Sequence, residues 1–120
     1  MELIKIVNAR QTIDSLSDRE NIGAHLSYWM TKFVVQTKNE HEFYAKEMQK
    51  LFDTYGVKSE DDRIVIPTER VAQFQDAVIA LEHTDVATPS IRFNLSELAS
   101  ELKLSMKQMY PLLDFIDEDK

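Results

Sequence analysis

"HLSYWMTKFVVQTKNEHEFYAKEMQKLFDTYG", residues 25–56, decides how the rest of this 120-residue chain is read. It holds no proline and no glycine before Gly56, and its apolar residues return in steps of three and four: Leu26, Trp29 and Phe33, then Tyr44, Met48, Leu51 and Tyr55. That recurrence lays one apolar stripe along a helix, with Ile22 carrying it back towards Asp18 and Gly56 supplying a left-handed stop. An unbroken helix over residues 18–55 would run about 50 Å at ~1.5 Å per residue, longer than a compact domain of this size is wide. The stripe lapses at "QTKNEHE", residues 36–42, so the helix is expected to kink there, cross solvent or meet a polar partner. A homodimer would satisfy both the length and the lapse.

Shorter elements surround this rod. "LIKIV", residues 3–7, is apolar and rich in β-branched residues and predicts a short strand or extended arm, followed by a short helix over residues 9–16. "VKSEDD", residues 57–62, reads as an exposed loop, and "RIVIP", residues 63–67, as a short strand closed by Pro67. Thr68 is placed to cap a second amphipathic helix whose buried side is Val71, Phe74, Val78 and Leu81. "SIRF", residues 90–93, is a third strand able to pair with "RIVI". In "NLSELASELKLSMKQMYPLL", residues 94–113, Asn94 with Glu97 and Ser105 with Gln108 form two capping-box signals, hence two helices. The expected fold is α+β, mostly α: a single domain over residues 1–120 with one long helix, a small two- or three-stranded sheet and a C-terminal helical hairpin.

Composition narrows the function. Apolar residues at 43% and charged ones at 29%, with two glycines and three prolines, belong to a folded, helix-rich protein. Fourteen basic against twenty-one acidic side chains give a formal charge of -7, which repels a phosphate backbone and favours solubility or a basic partner. The absence of cysteine removes disulfides, thiolate nucleophiles and thiolate zinc sites together. "MELIKIVNARQ" lacks the apolar run and charge order of a signal peptide, and no segment nears the ~18 apolar residues that cross a bilayer, so a soluble cytoplasmic protein is expected.

Motifs for chemistry are sparse. "HEFYA", residues 41–45, begins like the helical zinc-protease motif, but Ala45 stands where the second histidine is needed, so no metal is expected there. His25 and His83 stand alone, and two glycines cannot build a phosphate-cradling loop, so neither catalysis nor a cofactor is indicated. Glu40, Glu42 and Glu47 alternate with Lys38, Lys46 and Lys50 as a solvated helix face, and Glu60, Asp61 and Asp62 lack the spacing of a calcium loop. At the level of spacing, residues 94–113 resemble the helix-turn-helix family, with Ala99 at the small position. Lys103 at the turn and Pro111 inside the second helix depart from that pattern, and no basic footprint accompanies it. A hairpin that closes a core is the preferred reading, with a DNA-binding regulator as the alternative.

Aromatic side chains crowd the rod: Tyr28, Trp29, Phe33, Phe43, Tyr44, Phe52 and Tyr55. Aromatics dominate interface hot spots, so Trp29, Phe33 and Tyr44 are the candidates for a protein-binding face. The acidic end, with Asp117, Glu118 and Asp119, suits a basic partner and raises a further alternative, an inhibitor of a nucleic-acid-binding enzyme.

Taken in order, "HLSYWMTKF", "EFYAKEMQKLFDTYGV", "RIVIP" and "SIRFNLSEL" resemble, in layout, a group of small uncharacterised proteins encoded by tailed phages and prophages of Gram-positive bacteria. The resemblance implies a bacterial cytoplasm and a role in phage assembly, regulation or interference with a host protein. It supplies no site residue. The expectation is a non-enzymatic module that binds a host or phage protein, or a second copy of itself.

Overall fold

The computed structural model describes residues 1–117. Its first helix, α1 (Leu3–Leu16), occupies the place where "LIKIV" predicts a strand. Leu3, Ile6, Val7, Ala9, Ile13 and Leu16 are all buried, a spacing that presses one helical face into the core. Burial of that face, at roughly 1.5–3 kcal/mol per large side chain, outweighs the ~0.5 kcal/mol by which Ile and Val disfavour a helix. Extended chain survives only before the helix. Glu2 bridges Asp85, the Leu3 amide donates to the Thr84 carbonyl at 2.9 Å, and the Val86 amide donates to the Met1 carbonyl at 2.8 Å.

The expected rod is two helices, α2 (Ala24–Gln36) and α3 (Lys38–Tyr55), meeting at Thr37. Thr37 is fully buried, and its hydroxyl donates to the Phe33 carbonyl at 2.7 Å, one turn back. The backbone at Thr37 leaves helical geometry, at φ -100° and ψ 9°, so the polar lapse in the stripe marks the break between the two helices. The α2 face of Leu26, Met30 and Phe33 packs with α1 and with Ile91, Phe93, Leu98, Leu102, Leu112 and Phe115 to form the core. Phe33 sits at its centre, its ring 5.0 Å from that of Phe115 and 5.9 Å from that of Phe93.

After α3 comes a β-hairpin, β1 (Val57–Lys58) with β2 (Ile64–Val65), paired antiparallel. Asp62, at φ 62°, takes the left-handed conformation in its turn, and the Ser59 amide donates to the Arg63 carbonyl at 2.7 Å. "RIVI" therefore pairs with the segment just before it and not with "SIRF", because so short a loop closes at little entropic cost. Gly56 is extended, at φ -89°, and not the expected left-handed stop. A Cβ there would lie 2.5 Å from both the Ile64 Cγ2 and the Phe52 carbonyl oxygen, so glycine is needed for the close approach of β2.

A 3-10 turn (Thr68–Arg70) leads into α4 (Val71–Glu82). β3 (Phe93–Asn94) then pairs in parallel with β4 (Ile116–Asp117), so the expected sheet is two separate two-stranded pairs. The C-terminal hairpin begins with α5 (Leu95–Glu101), capped by the Asn94 side chain, which accepts from the Glu97 amide at 3.0 Å. α6 (Met106–Met109) opens on a complete Ser105–Gln108 capping box but lasts one turn, and the chain continues as a 3-10 helix (Tyr110–Phe115). Pro111 has no N–H to extend the α-helical ladder. The fold is α+β and mostly α.

Candidate protein-docking arm

α3 and α4 form a pair that leaves the core. Tyr44 feels the charge of Glu82, while the Phe52 ring lies tilted against Phe74 at 5.5 Å and the Tyr55 ring meets it edge-on at 6.2 Å, so the helices run antiparallel. Along the seam, positions 41, 44, 48, 51 and 55 on α3 and 71, 74, 78 and 81 on α4 alternate steps of three and four, the spacing of a coiled coil. α1 meets both helices at the base, where His83 Nδ1 lies 3.0 Å from the Glu2 carboxylate. The β-hairpin caps the far end.

No residue over 38–88 is buried. α1 packs on part of α3 and on the end of α4, and beyond it the two helices have only each other, so Met48, Leu51, Phe52, Tyr55, Phe74 and Val78 are only partly buried. Phe43 and Ile79 are 45% and 52% exposed, and Val57, Ile64 and Val65 at the tip are exposed as well. The projection shows in the dimensions: extents of 51 × 31 × 24 Å and a radius of gyration of 17.2 Å, where a compact chain of this length would have about 14 Å.

Charges along α3 are mixed. Lys50 pairs with Glu47 at 3.0 Å and Lys38 with Glu42 at 3.9 Å. Near the base, Glu40 Oε2 and His41 Nδ1 are buried atoms with no hydrogen-bond partner among the described residues. Partial burial, and then the negative charge of Glu82, hold the Tyr44 phenol above its ordinary pKa. At the tip, a hydrogen bond from the Ser59 hydroxyl holds the Asp61 carboxyl below its ordinary value, and Arg63 lies 3.2 Å away.

The residues singled out from sequence are scattered. Phe33 is fully buried and serves the core, which corrects its reading as a partner-facing side chain. Trp29 is partly buried against the core, and its indole N–H donates to His25 Nε2 at 3.2 Å. The other ring nitrogen, Nδ1, lies 2.7 Å from Glu97 Oε2, so the neutral Nδ1–H tautomer satisfies both contacts and ties α5 to α2. Tyr44 lies on the arm. Asp117 is exposed on β4, and Glu118 and Asp119 lie outside the described residues. Sequence reasoning missed the α4 side of the arm because its stripe reads as core, although the equal heptad spacing on both helices was there to be compared. It also missed a second apolar patch on α6 and the following 3-10 helix: Met106, Tyr110 and Leu113, exposed by 89%, 75% and 55%.

The cleft between the end of α1 and α2 is lined by Ile13, Ile22, Met30 and Val34, with Asp14 and Arg19 at its edge. Among the described residues, no three His, Asp or Glu side chains gather as a metal-binding group, and no helix is long and apolar enough to cross a membrane. Compared with known protein families, characterised proteins and solved structures, the chain matches none.

Proposed function

We propose that this protein is a non-enzymatic protein-interaction module and that its binding element is the α3–α4 arm. One observation carries the reading: a stretch spanning residues 38–88 contains no buried residue, yet its seam is aromatic and aliphatic at heptad positions. Apolar surface of this kind on a projecting element marks an interaction site. The setting we propose is the bacterial cytoplasm, with a host or phage protein, or the chain itself, as partner. The DNA-reading alternative is less well supported, since α6 is a single turn and the net charge is -7. The acidic-inhibitor alternative draws on that same charge.

A photo-crosslinking amino acid placed at Ile79 tests the reading, with Arg19, on the core body, as the control position. Covalent protein adducts at Ile79 and none at Arg19, in purified protein or in cells, are the expected result. No adduct at Ile79 in either setting refutes it.

A further inference from the structure

We propose that His25 is a proton switch for Trp29: the neutral imidazole holds the indole, and the charged imidazole releases it while keeping its grip on α5.

The switch follows from where the protons are. A neutral imidazole has one N–H and one lone pair, and His25 uses both. Nδ1 lies 2.7 and 2.9 Å from the two Glu97 carboxylate oxygens, and Nε2 accepts from the Trp29 indole at 3.2 Å, one turn along α2. A proton added at Nε2 takes that lone pair, so the indole N–H then faces another N–H and the bond is lost. The bond to Glu97 becomes charge-assisted and stronger, so the imidazole stays on α5 and the tryptophan gives way. The indole still packs against the core and edge-on to Tyr28 at 5.4 Å, so its polar edge is freed while its body stays in place. The freed N–H is a donor beside Tyr28, itself 54% exposed, and is open to water or to a partner's acceptor.

The surroundings leave the proton to His25. Its side chain is 72% exposed, so water reaches it. From α5, Glu97 faces it, while Glu101, one turn on, accepts from the Gly23 amide at 2.8 Å, with Arg19, Glu20 and Lys103 along the groove beside it. On α2, Lys32 Nζ lies 5.7 Å over the Tyr28 ring. Of these side-chain types, only imidazole ordinarily changes charge between pH 5 and 8.

The chain has one tryptophan, so its indole N–H gives one NMR signal. The test is the rate at which that proton exchanges with water in the purified full chain, from pH 5 to 8, divided at each pH by the rate in His25→Phe. Phenylalanine keeps a ring over the same surface without an acceptor, and the division cancels the ordinary pH dependence of exchange together with any effect of His41 and His83. The Cε1–H signal of His25 reports its charge in the same samples. At pH 8 the wild-type rate is expected to be roughly five-fold below that of the variant, the effect of one neutral hydrogen bond, and the ratio should rise to about one as the His25 signal titrates. A ratio near one at pH 8 overturns the switch, because burial alone then shields the indole. A ratio that stays low after His25 has titrated overturns it too, as does a ring that remains neutral down to pH 5.

Discussion

Replacing Phe33 by alanine separates a core residue from a binding residue. The side chain has no exposed surface and packs against Phe115 and Phe93, with α1 on the other side of the cluster. Removing a fully buried phenylalanine costs about 3–5 kcal/mol, of which the lost aromatic pairing is ~0.5–1.5 kcal/mol. Unfolding entropy of ~2.1 cal/mol/K per residue comes to about 0.25 kcal/mol/K for a chain of 120 residues, so the midpoint should drop by roughly 12–20 °C. Against a total stability of ~5–15 kcal/mol, that is a third or more of the whole in most cases. Urea and thermal unfolding followed by circular dichroism measure it, with Phe43→Ala as the half-exposed comparison at about 1 kcal/mol or less. A Phe33 variant that loses no more than the Phe43 variant would refute the placement of the core.

Other expectations follow from single contacts. Ser105→Ala removes one arm of the α6 capping box and should cost about 1 kcal/mol, seen as a lower urea midpoint with unchanged slope; no change would mean that α6 does not form in solution. Gly56→Ala drives a methyl group into Ile64 and the Phe52 carbonyl, so faster proteolysis at the hairpin tip is expected, and an unaltered cleavage rate would contradict the close packing. The raised pKa of Tyr44 means that, from pH about 10 upward, the unfolded chain gives up a proton that the folded chain keeps. Stability from this group is therefore complete below that pH and is lost as pH rises through the folded value. Tyr44→Phe should flatten the alkaline fall in Tm, and an identical fall in both proteins would sink the assignment.

Much of the architecture was legible because helical periodicity is a strong local signal. Leu26 to Tyr55 read as helix and is helix on both sides of the break. The caps at Asn94 and Ser105 were legible for the same reason, since three residues separate each cap from the amide it accepts. The strand at "LIKIV" misled because Ile and Val report what a segment favours in isolation, while Leu3, Ile6 and Ile13 answer to a core assembled from distant residues. β4 was invisible, for a two-residue strand at Ile116–Asp117 has no pattern until β3 lies beside it. The arm was half legible. Its aromatic stripe was plain in Tyr44, Met48 and Tyr55, but the exposure of that stripe depends on how little of the chain folds back over it. Phe33 and Tyr44 look alike in sequence, and the break at Thr37 sends one into the core and the other onto the projecting pair.

Hydrogen exchange resolved to single amides, on dilute and concentrated samples of the full chain, asks most directly whether the arm is completed by its own chain or by another. Amides of α1 and α2 should exchange at the same slow rates in both samples. Those of residues 48–55 and 71–81 should exchange much faster than the core when dilute. Arm amides as slow as the amide of Phe33 in a dilute sample of single chains would contradict the account.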